Sequence, residues 1–164
     1  MEADGRRASG DGPAAGDSHV GELASAGNRL SGVAIVATAV AEQPCAMIAD
    51  LVVEMTDSPG TILVFIDPAA PTHSRISRAP FIGLTVLSLR NLISIVGPQE
   101  RDTDIDNVSW CRGPHGGLLL EGAQCAVELA VGGRMLARAR TVLVGSVLAP
   151  QGNTGGQLLR ALDD

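Results

Sequence analysis

Asn-Val-Ser-Trp-Cys-Arg-Gly-Pro-His-Gly-Gly-Leu-Leu-Leu-Glu-Gly-Ala-Gln-Cys-Ala-Val-Glu-Leu, residues 107–129, decides how this chain folds. It holds the only tryptophan, Trp110. A polar turn built on Gly113-Pro114 follows, then an apolar step at Leu118-Leu119-Leu120, then alternation from Ala123 to Val131. Alternation with a period of two marks a strand with one face buried. Cys125, Val127, Leu129 and Val131 take one face, and Gln124, Ala126 and Glu128 the other.

Working outward, Gly132-Gly133 reads as a hairpin turn, because glycine supplies the positive φ that tight hairpins need. Arg134 to Leu148 reads as the return strand, with Val142 and Val144 on the face that also carries Arg138 and Arg140. Upstream, Val33 to Val40 reads as a strand, Gln43-Pro44 as a turn, and Ala46 to Met55 as a second strand. Asp57-Ser58-Pro59-Gly60 is a turn, and the β-branched run Thr61 to Ile66 fits a strand buried on both faces. Thr72 can cap a short helix running through Arg78, since a hydroxyl oxygen can accept a free amide of the first turn. Phe81 to Leu87 is a further strand, and Ser88 can cap a second short helix through Val96. Gln99 to Asp106 is polar and reads as an exposed loop. The pattern is mainly β, with many short strands and two brief helices, which points to a barrel.

Composition narrows the function classes. A chain of 164 residues is one domain by size. It can bury roughly 70% of its unfolded surface and needs no disulfide or metal staple. Residues 1–28 are rich in Gly, Ala, Ser and Asp and read as a flexible tail. Residues 29–150 read as the folded domain and 151–164 as a C-terminal segment. Two Phe, one Trp and no Tyr leave few rings for stacking on bases, and a net charge of −6 repels phosphate, so nucleic acid is excluded as a partner. All twelve basic residues are arginine, which removes Schiff-base lysine chemistry. Cys45, Cys111 and Cys125 have no metal-ligand spacing, and three is an odd number. That points to a reducing, cytoplasmic setting without a disulfide framework. No signal peptide and no apolar run of ~18 residues is visible, so no membrane span is expected.

The order of these blocks resembles the flavin reductase-like domain, a split β-barrel. The family's strand-turn-strand block reads roughly T-A-N-S-F-x-S-V-S-x-x-P-P. Here it runs Met47-Ile48-Ala49-Asp50-Leu51-Val52-Val53-Glu54-Met55-Thr56-Asp57-Ser58-Pro59. Ile62 to Asp67 resembles the apolar strand that follows, and Ala69-Ala70-Pro71-Thr72 the phosphate loop. Ile82 to Ser88 resembles the next strand, Val108-Ser109-Trp110 through Ala123 the closest block, and Leu143 to Val147 the late strand. The resemblance implies a homodimer that holds FMN or FAD at its interface and takes hydride from NAD(P)H. Reduced flavin then passes to a partner monooxygenase. Cofactor-binding positions that match are Ala49, Thr56 and Thr72. The chain departs elsewhere: the usual Thr is Ile48, the Asn is Asp50, and two Ser are Leu51 and Glu54. Arg138-Ala139-Arg140 stands where a Gly-Asp-His element would place a histidine near the nicotinamide.

The departures suggest other chemistry. Asp50 and Glu54 lie four apart on one expected strand, hence on one face and about 13 Å apart. They read either as a general acid/base pair or as a solvated edge. Arg138 and Arg140 share a face and can pair with these acids, bind an anionic ligand, or be solvated. The candidate catalytic set is Asp50, Glu54 and Arg140. A second reading is therefore a flavin-free barrel. Its emptied pocket, lined by Ile48, Leu51, Val52 and Leu84, takes an apolar small molecule of secondary metabolism through cyclisation, isomerisation or dehydration. A third is a non-catalytic dimer partner. His19, His73 and His115 read as surface histidines, the cysteines as small core hydrophobes, and Trp110 as a loop anchor.

Overall fold

The computed structural model describes residues 27–148, apart from 31, 89, 91–107 and 124. Ten strands and one short helix are present among them: β1 (Gly27–Arg29), β2 (Val33–Val40), β3 (Gln43–Ala49), β4 (Leu51–Met55), β5 (Thr61–Ile66), α1 (His73–Arg78), β6 (Phe81–Leu87), β7 (Trp110–Arg112), β8 (Leu118–Leu120), β9 (Cys125–Ala137) and β10 (Arg140–Val147). Eight strands form one antiparallel sheet in the order β1-β4-β5-β10-β9-β6-β2-β3, and β7 and β8 form a separate hairpin. Strand β3 ends one edge of that order, and β4 lies beside the other edge. Yet Ala49 and Leu51, their facing ends, are two residues apart in the chain. Only a sheet that curls round on itself permits this, and the mainly β split-barrel architecture expected from the sequence follows.

The interior is aliphatic. Val36, Met47, Val52, Ile62, Val64, Ile66, Ile82, Leu84, Leu129 and Leu143 make the main cluster, with Ile76 of α1 closing one end. Burying an aliphatic side chain of this size contributes about 1.5–3 kcal/mol, so a core with few aromatic rings suffices here. The β7–β8 hairpin covers a second cluster outside β2 and β6, where Ile35, Ala37 and Leu87 meet Leu118 and Leu120, and Trp110 packs against them. A third cluster, Val53, Leu63, Phe65, Ala137 and Val142, lies on the other face of β4, β5 and β10.

The hairpin docks closely because two glycines allow it. A Cβ at Gly83 would lie 1.9 Å from the Leu118 carbonyl oxygen, and one at Gly117 would lie 2.7 Å from the Gly83 nitrogen.

Several expectations need correction. Gln43-Pro44 is not a turn: both residues open β3, and the turn falls at Ala41-Glu42. Gly132-Gly133 is not a turn: β9 runs unbroken through it to Ala137, and the turn falls at Arg138-Ala139. Gly133 pairs with Val144 and Val131 with Gly145, which leaves Gly132 as the extra residue of a β-bulge, a place where glycine is equally at home. The return strand therefore starts at Arg140, not Arg134. The single strand from Ala46 to Met55 is two strands, because a bend at Asp50 carries the chain across the barrel seam. Thr72 makes no side-chain cap to α1. Its hydroxyl donates instead to the Ala46 carbonyl at 3.1 Å. Strand β1 starts at Gly27, inside the stretch read as tail, while the expected helix from Ser88 to Val96 and the loop from Gln99 to Asp106 lie largely or wholly outside the described residues.

Candidate functional site

One corner of the barrel gathers the polar groups. It forms where β3 bends into β4, where β5 runs out into the loop before α1, and where β10 begins. The register fixes the meeting: Leu51 pairs with Phe65, Thr141 pairs with Ile66, and the Asp50 amide donates to the Phe65 carbonyl at 2.9 Å. Arg140 Nε lies 2.6 Å from Asp50 Oδ2, with both side chains about two-fifths exposed (40% and 42%). Arg140 Nη1 also donates to the Ala139 carbonyl at 2.7 Å. Two anchors fix the guanidinium in place, while water still reaches it.

Beside this pair, His73 Nε2 lies 2.8 Å from Thr141 Oγ1, and Thr141 is buried. His73 was expected at the surface without a partner. Its position at the start of α1, opposite the start of β10, joins residues 68 apart in the chain. Thr72 O accepts a weak contact from Cys45 Sγ at 4.0 Å. Burial pushes the Cys45 thiol up, and Arg75, hydrogen-bonded to it, pulls the other way. Asp67 Oδ1 accepts the Ala69 amide at 2.8 Å, and the Ala70 and His73 amides are spent on the Asp67 and Ala70 carbonyls.

The structure divides the residues singled out from the sequence. Asp50 and Arg140 meet at this corner, with the buried Ala49 next to Asp50 in the chain, whereas Thr72 bonds to Ala46, farther back along β3. Glu54 does not join them: it sits four residues along β4, paired with Asn28 of β1 and Ile62 of β5. Thr56 is farther still, exposed in the turn between β4 and β5. Arg138 occupies the β9–β10 turn with φ 53, so it does not share a strand face with Arg140. The apolar pocket imagined from Ile48, Leu51, Val52 and Leu84 does not form. Val52 and Leu84 are packed in the interior, Leu51 belongs to the third cluster, and Ile48 is 37% exposed.

His115 lies at the surface, as the sequence suggested, but it is not without partners. Its ring stacks on Phe81 with centroids 4.9 Å apart, and its Nδ1 lies 2.8 Å from Glu128 Oε1. Glu128 is buried and accepts the Gly117 amide at 2.7 Å as well. Nothing in the local sequence pairs Glu128 with a turn eleven to thirteen residues earlier. Cys45 and Cys125 are buried as small hydrophobes, whereas Cys111 is exposed. Among the described residues no group of His, Cys, Asp or Glu is placed to hold a metal ion, and no helix is long and apolar enough to cross a membrane.

The sequence model of the flavin reductase like domain matches residues 27–159. The chain belongs to the flavin reductase like domain family. Solved structures agree on the fold. The NADH:FAD oxidoreductase SgcE6 of Streptomyces globisporus C-1027 is 22% identical over 81% of each chain, with a TM-score of 0.59. BorF, the flavin reductase component of a bacterial two-component tryptophan halogenase, is 24% identical over 81% of this chain and 86% of its own, with a TM-score of 0.57. An FMN-binding protein from Thermus thermophilus is 23% identical over 74% of this chain and 71% of its own, with a TM-score of 0.61. A comparison with curated protein sequences found no match.

Proposed function

We propose that this chain is an NAD(P)H-dependent flavin reductase that takes FMN or FAD as a substrate, works as a homodimer, and supplies reduced flavin to a partner monooxygenase. The observation that carries this reading is the corner itself. Ala49-Asp50, the loop after β5, and Arg140 meet there, although the last is 69 or more positions along the chain from the others.

Charge decides whether a flavin fits. A lone Asp50 would repel an electron-rich ring, but Arg140 at 2.6 Å neutralises it. The phosphate end is poorly served. The loop Asp67–Pro71 offers no hydroxyl, the Thr72 hydroxyl is donated to Ala46, and two loop amides are already spent. Arg75, which also bonds Cys45, supplies a cation near α1, and His73 has one ring nitrogen that does not face Thr141. The residues therefore suit a flavin that comes and goes more than one gripped by its phosphate. When bound, flavin supplies the redox chemistry. Arg140 would sit against developing negative charge, Asp50 would hold Arg140 in place, and Thr141 would set the His73 ring. Catalysis of this kind is mostly orientation and electrostatics.

The test is direct. Purified protein is titrated into FMN and FAD with fluorescence as the readout, and NADH and NADPH oxidation is followed at saturating flavin. Quenching at micromolar protein and flavin-dependent oxidation support the reading, with Arg140→Ala raising the flavin KM at least tenfold. Absence of both overturns it and returns the flavin-free alternative to the front. In that case Asp50→Asn separates a non-redox enzyme, which loses turnover, from a non-catalytic partner, which loses nothing.

A further inference from the structure

Glu54 stands apart from the chemistry above and is harder to explain. It is 93% buried, since its exposure is 7%. By strand parity it shares a face with Val52, which lies in the main interior cluster, so its side chain turns inward with Ile62 beside it. One carboxyl oxygen is served by the Gly60 amide. The other, Oε2, has no hydrogen-bond partner among the described residues. A buried, half-satisfied carboxylate is costly, whereas a neutral carboxylic acid in the same place costs far less. Burial accordingly pushes the Glu54 carboxyl up from its ordinary value, with the Gly60 hydrogen bond acting the other way.

What borders Glu54 is the weakest strand of the sheet. Strand β1 is three residues long, lies at the sheet edge, and pairs only with β4. Its Asn28 is the direct partner of Glu54. Gly27 packs so closely that a Cβ there would lie 2.2 Å from the Glu54 carbonyl oxygen. Next along the chain, Leu30 donates its amide to the Val52 carbonyl at 3.0 Å and plugs the interior at 9% exposure. Among the described residues no charge from the packed elements compensates Glu54. Arg29 of β1 pairs with Val53 and so lies on the opposite face, exposed. Asp57 of the following turn is exposed. Strand β5 carries no titratable residue, and the only one on β10, Arg140, is at the far corner.

We propose that Glu54 is a proton-controlled latch on the first strand of the barrel. With its carboxyl neutral, β1 stays zipped to β4 and Leu30 seals the barrel end. Loss of the proton favours release of β1, because the opened end lets water reach the carboxylate. The sign follows from linkage. The closed state binds the proton more tightly than the opened state. Opening is therefore indifferent to pH below the ordinary glutamate range. Above it, opening grows about tenfold per pH unit until the closed-state carboxyl itself ionises.

Hydrogen exchange on the full chain tests this. The Leu30 amide, corrected for the intrinsic base catalysis of exchange, should exchange faster as pH rises above about 4.5, by up to tenfold per pH unit, and level off once the closed-state carboxyl ionises. Amides between β9 and β10 should show no such excess. Glu54→Gln, which carries no proton to lose, should flatten the Leu30 profile. A carbon-13 titration of the wild-type Glu54 carboxyl, which needs no variant, should report a midpoint raised above the ordinary range. An ordinary midpoint, or a Gln variant that keeps the wild-type pH profile, overturns the latch. Because no flavin enters these measurements, their failure is distinct from failure of the reductase reading.

Discussion

Glu128→Ala should loosen the β7–β8 hairpin from the barrel by an amount that can be worked out beforehand. The buried carboxylate holds three donors of one turn. Oε2 takes the Gly117 amide at 2.7 Å, Oε1 takes His115 Nδ1 at 2.8 Å, and the His115 amide is shared between both oxygens at 3.2 Å. A hydrogen bond to a charged group contributes about 1.5–3 kcal/mol when its partner cannot turn to water. The Gly117 amide is in that position, so it counts for about 2 kcal/mol. His115 is half-exposed and regains water when released, so its two bonds together count for about 1 kcal/mol. The sum, about 3 kcal/mol, corresponds to a melting temperature lower by about 10 °C for a domain of this size. Glu128→Gln keeps the Gly117 bond and can donate to His115 Nδ1 after a change of tautomer, so about half the loss is expected. Urea unfolding followed by circular dichroism measures both variants. A Glu128→Ala protein within 0.5 kcal/mol of wild type would refute the reasoning that this carboxylate ties the turn to the barrel.

Other perturbations have equally definite outcomes. Gly83→Ala should cost more than about 3 kcal/mol in unfolding experiments, because its Cβ would meet backbone of β8, which cannot swing away as a side chain can. Arg138→Gly should be more stable than Arg138→Ala by about 1 kcal/mol in unfolding experiments, since glycine adopts the positive φ of that turn without strain and both variants lack the arginine side chain. Asp50→Ala should change stability by less than about 1 kcal/mol, because the ion pair with Arg140 is substantially exposed. The same variant should raise the flavin KM in steady-state assays. Stability unchanged with KM raised is the split expected of a positioning residue.

Much of the fold could be read from residue order because β-branched runs and turns report on it locally. Thr61–Ile66, Val33–Val40 and Phe81–Leu87 have the bounds that patterning suggested. Gly132-Gly133 misled because glycine serves a bulge as readily as a turn, while the true turn uses Arg138 in a conformation that residue rarely adopts. The break at Asp50 was hidden because a single charged residue between two apolar stretches reads as readily as a solvent-facing position of one continuous strand. At the site, pairing of Arg140 with Asp50 was among the possibilities that charge alone raised. The contact between His73 and Thr141 was not legible, since it depends on how a loop brings α1 against β10. Glu54 illustrates the opposite failure. Its place in an apolar run was visible, but whether the carboxyl met water or the interior depended on the strand beside it.

The bend at Asp50 has a mechanical consequence. One residue both closes the seam of the barrel and holds the arginine at its rim. Seam and rim cannot then move independently: a molecule that clasps Arg140 also tightens the joint, and a joint that gapes turns the guanidinium away. Occupancy of the rim and rigidity of the whole cylinder should rise and fall together.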